Sequence, residues 1–176
     1  LEKYKAMQGF NIWQLERDYL QHLVLLFLSK RTAGELIFKG GTALQKVFGL
    51  NRFSIDLDFT EAGELPLDLF ALIQNDVSTF GFKNEYIETK NRNSRTIKLK
   101  IKGPLYQGME RTLTVLVIEI SLREKILLEP ETKEIFPVYP DISPYLIKVM
   151  KIEEILAEKV RAIMTRDKAR DVFDLR

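Results

Sequence analysis

Phe38-Lys39-Gly40-Gly41-Thr42-Ala43-Leu44, followed closely by Arg52-Phe53-Ser54-Ile55-Asp56-Leu57-Asp58-Phe59, is the stretch that decides the fold. Glu35 to Lys39, centred on Leu36, Ile37 and Phe38, reads as a short strand, and the Gly40-Gly41 pair permits a sharp turn. Thr42 is placed to cap the helix that follows. That helix carries Leu44, Val47 and Phe48, and Gly49 stands where a left-handed stop is common. Ile55 to Phe59 then alternates as a second strand.

Alternation puts Asp56 and Asp58 on one face, roughly 6.6–6.8 Å apart along the backbone, and Leu57 and Phe59 on the other. Two carboxylates that close repel each other, and placing both beside a packed sheet costs stability unless cations neutralise them. A hydrated divalent metal is the natural partner, because Mg²⁺ takes one or two protein carboxylates and completes its shell with water and substrate phosphates. In a two-metal mechanism the attacking oxygen and the leaving pyrophosphate are both served, which makes a nucleoside triphosphate the expected substrate. An Asp-x-Asp pair alone also fits a strand face with solvated charges.

Glu119 sharpens the reading. It lies in the aliphatic run Val115-Leu116-Val117-Ile118-Glu119-Ile120, which predicts a central strand covered on both faces, where an isolated charge is expensive. A third carboxylate beside the aspartates is one solution; an ion pair with Arg123 or Arg52 is another. The Gly40-Gly41-Thr42 turn opens a helix whose free amides and dipole favour phosphate oxygens. The Gly-x-x-x-x-Gly-Lys-Ser/Thr phosphate loop is absent, which argues against an ordinary P-loop ATPase.

Outward from this centre, residues 11 to 30 place Ile12, Leu15, Tyr19, Leu23, Leu26 and Phe27 on one helical face. Pro66 to Phe80 reads as a helix. Phe82 to Lys90 and Thr96 to Lys102 read as a hairpin around Asn91-Arg92-Asn93-Ser94. Two further short strands are expected before residue 150. Ile152 to Thr165 carries Ile152, Ile155, Leu156, Val160 and Ile163 on one side of a helix, and another begins at Ala169 to Leu175. The order predicts a mixed α/β (α+β) fold, with a core and its N-terminal helix over residues 1–150 and the start of a helical region over 151–176.

The 176 residues suit one such domain, and 45% apolar with 30% charged residues is the balance of a globular protein. Cysteine is absent, which removes disulfides, thiolate nucleophiles and cysteine zinc sites and fits a reducing cytoplasm. The one histidine, His22, cannot build a histidine-rich metal site and is expected to be structural or on the surface. Leu23 to Leu28 is far shorter than the roughly 20 residues of a membrane span. A net charge of +2 makes nucleic-acid binding a matter of local clusters. Arg92, Arg95, Lys98, Lys100 and Lys102 recur along the hairpin, and Lys148, Lys151, Arg161, Arg166, Lys168 and Arg170 form a second basic region. Either can track an RNA backbone, and lysine rows also protect sheet edges. Phe82, Tyr86 and Tyr106 are candidates for base stacking or for packing.

The two motifs quoted first resemble motif one of the AbiEii/AbiGii toxin family, within the polymerase-β-like nucleotidyltransferases. Leu156-Ala157-Glu158-Lys159-Val160-Arg161-Ala162 and Arg170-Asp171-Val172-Phe173-Asp174-Leu175 resemble that family's later motifs, in the same order. The resemblance runs from about residue 34 to the end and implies a mixed sheet flanked by helices with a C-terminal helical part. It implies nucleotide binding by Gly40, Gly41, Thr42, Ser54 and Lys159, metal binding by Asp56 and Asp58, and an acid or base role for Asp171. Asp174 reads as structural. Thr42 stands where many members have serine and keeps the hydroxyl. The chain stops soon after Asp174, where members commonly continue, so part of an acceptor surface is expected to be missing.

The expected function is therefore a nucleotidyltransferase that uses Mg²⁺ or Mn²⁺, with Asp56, Asp58 and Glu119 as metal ligands. It transfers a nucleotidyl group from an NTP to an acceptor hydroxyl. By resemblance the acceptor is RNA such as tRNA, the role is that of a toxin in a toxin–antitoxin or phage-defence pair, and a cognate antitoxin is the partner. The competing classes are a non-catalytic nucleotide- or RNA-binding module on the same fold, and an interaction domain whose acids do not converge.

Overall fold

The structure, a computed structural model, describes residues 1–4, 9–123, 125–165 and 174. Helix α1, Ile12–Thr32, begins where Asn11 and Gln14 cap each other reciprocally at 2.9 Å, satisfying amides that the first turn leaves open. Its apolar side supplies Leu20, Leu23 and Val24 to the core, all fully buried. Strand β1, Leu36–Lys39, is buried along its whole length and runs into helix α2, Gly40–Phe48. Gly49, at φ +77°, ends α2 in the left-handed conformation expected of it. Strand β2, Leu57–Glu61, helix α3, Leu69–Thr79, and the hairpin β3, Asn84–Lys90, with β4, Ser94–Ile101, follow. Then come β5, Thr114–Ser121, β6, Glu131–Ile135, β7, Tyr145–Val149, and helix α4, Ile152–Thr165. The helix expected over Ala169 to Leu175 lies outside the described residues, apart from Asp174.

The strands form one mixed sheet in the order β3-β4-β5-β2-β1-β7-β6. β1 pairs antiparallel with β2 and parallel with β7, and β2 pairs parallel with β5. Leu57, Phe59, Ile97, Leu99, Ile118 and Ile120 belong to the buried core. No helix among the described residues is long and apolar enough to cross a membrane.

Two expectations are corrected. β5 is not covered on both faces: Leu116, Ile118 and Ile120 are buried, whereas Val115, Val117 and Ser121 are half-buried and Glu119 is exposed. The aliphatic run misleads because Val115 and Val117 lie in register with Lys100 and Lys98 on β4, on the open face of the sheet. Val160 is 48% exposed on α4, while the Lys159 side chain is only 12% exposed. The side of α4 that turns inward therefore carries a cation, which periodicity of apolar residues does not reveal.

Candidate active site

Strand register assembles the acids. Asp58 on β2 is opposite Lys39 on β1 and Glu119 on β5, and Glu119 is opposite Thr96 on β4. These residues form a row across the open face at strand spacings of about 4.8 Å. Glu119 thus lies nearer to Asp58 than Asp56 does, although Asp56 is the nearer in sequence. Burial first, then Glu119, then Asp56 push the Asp58 carboxyl up to about 6, and Lys159 and Lys39 only partly offset this. Asp56 immediately precedes β2. Its charge, with that of Glu16, opposes the burial that lowers the pKa of Arg17 on α1.

The glycine turn presses on the same carboxylate. Gly40 has φ +72°, and a Cβ there would stand 2.2 Å from Asp58 Oδ2, so no other residue fits. A Cβ on Gly41 would stand 2.7 Å from Arg52 Nη2 and 2.9 Å from Ser54 Oγ. The Ser54 hydroxyl and the Arg52 guanidinium therefore lie over the start of α2. Gly40, Gly41 and Ser54 are together at a helix N-terminus whose first amides lack intrahelical partners.

Thr42 departs from expectation. It sits inside α2, is fully buried, and donates its hydroxyl to the carbonyl of Asp56. The helix is instead capped at Lys39, without a side-chain bond, because the Gly-Gly turn is already part of the helix. Its buried hydroxyl is positioned to hold the acidic segment, not to reach a phosphate.

α4 closes the site from the other side. Lys39 Nζ donates to Glu158 at 2.9 Å, and Lys159 Nζ lies 2.9 Å from Asp174 Oδ2. Asp174 is buried and accepts a bidentate pair from Arg52, at 2.7 and 3.0 Å. Asp174 is thus structural, as expected, and its work is to tie the Arg52 segment to α4. Arg52 is engaged there and does not pair with Glu119. Lys39 and Glu158 had no individual signal in the sequence, since only strand register and the packing of α4 bring them in. Asp171 lies outside the described residues.

A cleft of about 1570 Å³ runs along these residues. Its floor is Lys39, Gly40, Asp58 and Glu119; its walls are the β3–β4 turn with Arg92, the segment with Arg123 and Lys125, and α4 with Lys159 and Arg161. Asp56 is not among its lining residues. The expected basic stripe is broken up: Arg95 pairs with Glu88 at 2.7 Å and covers the Phe70 ring, and Lys100 is near Glu85 and Glu110. Phe82 packs on Tyr19 and Phe80, and Tyr86 on Phe70, so these rings serve packing. His22 is buried beside Tyr145, 2.9 Å from its hydroxyl, in a structural role.

Among the described residues, no three His, Cys, Asp or Glu side chains make a ready protein cage for a metal. The donor chemistry still fits a hard divalent cation. Asp58 is held by burial and two neighbouring carboxylates in a state that a cation would relieve, and Mg²⁺ draws much of its shell from water and phosphate.

A mixed sheet thus mounts this row of acids against a glycine turn. Two solved structures share the fold: a candidate nucleotidyltransferase from H. pylori, at TM-score 0.70 and 24% identity over 94% of this chain and 67% of that one, and JHP933 from Helicobacter pylori, at TM-score 0.67 and 24% identity over 94% and 66%. The chain spans about two thirds of the length of each. No curated protein sequence matches it. The family model described as nucleotidyl transferase AbiEii toxin, Type IV TA system, matches residues 25–176, and the chain belongs to that family.

Proposed function

We propose that this protein transfers a nucleotidyl group from an NTP to an acceptor hydroxyl, with Mg²⁺ or Mn²⁺ as cofactor. The observation that carries the reading is Asp58, seated between Glu119 and Lys39 and against Gly40, on the floor of a cleft of about 1570 Å³. That volume exceeds the roughly 300–1,000 Å³ of ordinary small-molecule sites and leaves room for a nucleotide with part of a larger acceptor. In the reaction the acceptor oxygen bonds to the α-phosphorus, the bond from that phosphorus to the pyrophosphate oxygen breaks, and the hydroxyl proton passes to a base. The resemblance gives that role to Asp171.

Asp56, Asp58 and Glu119 would hold the divalent cation, which would supply charge neutralisation for the triphosphate and a lower barrier to deprotonation of the hydroxyl. Ser54 and the amides of Gly40 and Gly41 would orient phosphate oxygens at the start of α2. Lys39 and Lys159 would counter the remaining negative charge. Arg92, Arg123 and Arg161 on the walls support an RNA acceptor such as tRNA, held through its backbone. The family supports a role as the toxin of a toxin–antitoxin or phage-defence pair, with a cognate antitoxin as partner; the cytoplasm would be its place of action.

The test is labelling of total RNA with each α-³²P-NTP and Mg²⁺ or Mn²⁺, by the wild type and by the Asp56→Ala/Asp58→Ala variant. Label incorporated only by the wild type is the expected result. A folded wild type that binds NTP and labels nothing would instead support the non-catalytic binding module.

A further inference from the structure

The acidic segment is gripped from behind by side chains that the reaction itself does not use. Gln21 on α1 is fully buried, and its Nε2 donates to the carbonyls of Ser54 at 3.0 Å and Ile55 at 2.9 Å. The Ser54 amide donates to Gln45 Oε1 on α2 at 2.7 Å, and Thr42 holds the next carbonyl, that of Asp56. Three consecutive residues thus have main-chain groups committed to side chains on two helices. The helices are locked together by a buried ion pair, Lys46 to Asp18 at 2.6 Å. A loop entering a strand ordinarily leaves such groups to water, where several backbone conformations compete.

We infer that Gln21 is a positioning residue, which fixes the Ser54–Asp56 backbone so that the Ser54 hydroxyl faces Gly41 and the Asp56 carboxylate stands beside Asp58. Gln21 lies before the family-matched residues 25–176, on a helix whose sequence shows only an amphipathic stripe. Its geometry accounts for the buried amide nitrogen: two carbonyls in adjacent residues need two donors, and glutamine supplies both from one nitrogen. The inference rests on the proposed function for its catalytic meaning and on geometry alone for the clamp.

Gln21→Met keeps the side chain's length and removes both donors. Amide hydrogen exchange on the metal-free variant tests the clamp, and the Mg²⁺ dependence of NTP binding tests its purpose. Exchange at Ile55, Asp56 and Leu57 is expected to quicken about tenfold or more, and the Mg²⁺ concentration for half-maximal NTP binding to rise by about tenfold, as for groups that orient metal ligands. Should Gln21→Met not fold, Gln45→Met, at a half-buried site, removes the grip on the Ser54 amide and is expected to shift both readouts in the same direction. Unchanged exchange across these residues overturns the inference. Quickened exchange with unchanged Mg²⁺ and NTP dependence also overturns it, because the clamp then serves the fold alone. A wild type without Mg²⁺-dependent NTP binding refutes the proposed function instead, and exchange alone then judges the clamp.

Discussion

Asp58→Asn is predicted to make the metal-free protein more stable. The Asp58 carboxyl stands at about 6 in the folded protein against 3.8 as a free group, raised by burial, Glu119 and Asp56. A folded pKa above the unfolded one means that the native state binds more protons in the window between the two, so stability falls as pH rises through it. Below about pH 4 the acid is neutral in both states and costs nothing through charge; above about pH 6 the whole penalty is present. A shift of about 2 units at about 1.36 kcal/mol each gives about 3 kcal/mol as an upper figure, and solvent at the half-buried carboxylate brings it nearer 1–2 kcal/mol. Urea unfolding in EDTA between pH 4 and 8, on wild type and variant side by side, reads this group together with its coupling to Glu119 and Asp56, while titrations of distant groups cancel in the difference. The variant should gain stability over wild type as pH rises from 4 to 7 while losing nucleotidyl transfer. A difference that does not change with pH, or a variant less stable at pH 7.5, would refute the electrostatic reasoning.

Gly40→Ala places a Cβ 2.2 Å from Asp58 Oδ2 at φ +72°; about 2 kcal/mol of stability and about 10²-fold in transfer rate should be lost, read by urea midpoint and RNA labelling. Asp174→Asn leaves Arg52 and Lys159 without their buried counter-charge, and a destabilisation of about 3 kcal/mol is expected in the same unfolding assay. His22 is held neutral, its pKa lowered to about 3 mainly by burial and then by Lys46. Its contribution to stability is therefore present above the unfolded value near 6.5 and is lost as pH falls towards 3, and the single imidazole NMR signal should remain that of the neutral ring at pH 5.

Much of the local structure was legible because it follows from neighbours in sequence. The β1 strand, the glycine turn, α2 with its Gly49 stop, the β3–β4 hairpin and α4 over Ile152–Thr165 all lie where periodicity and turn residues put them. The segment with the acid pair was read as a strand from Ile55 to Phe59, whereas β2 runs Leu57–Glu61, so Asp58 lies on the strand and Asp56 just before it. What was hidden depends on which strands become neighbours. No local pattern says that Lys39 will face Asp58, or that Glu119 will be exposed on an open face while its flanking isoleucines are buried. Thr42 looked like a cap because threonine before a helix usually is one, but the Gly-Gly turn already belongs to the helix and moves Thr42 inside it. Gln21 carried no signal at all, since a buried glutamine is recognisable only once the carbonyls it serves are in place.

The sheet order also gives the site a polarity. β2 has only two neighbours, β1 and β5, and these bring a cation, Lys39, to one flank of Asp58 and an anion, Glu119, to the other. On the proposed function, a triphosphate carrying several negative charges is favoured on the flank that holds Lys39, Lys159 and the start of α2. The Glu119 flank repels it. A neutral acceptor hydroxyl meets no such repulsion and can approach past Glu119, beneath the wall that carries Arg92 and Arg123, whose charges suit the acceptor's backbone. On that function the two substrates would be steered to opposite sides of Asp58, the arrangement an in-line displacement at the α-phosphorus requires. Because Glu119 would also hold the cation, Glu119→Gln should weaken transfer and raise the Mg²⁺ concentration needed for NTP binding; an unchanged Mg²⁺ dependence, measured by titration, would show that Glu119 is not a ligand.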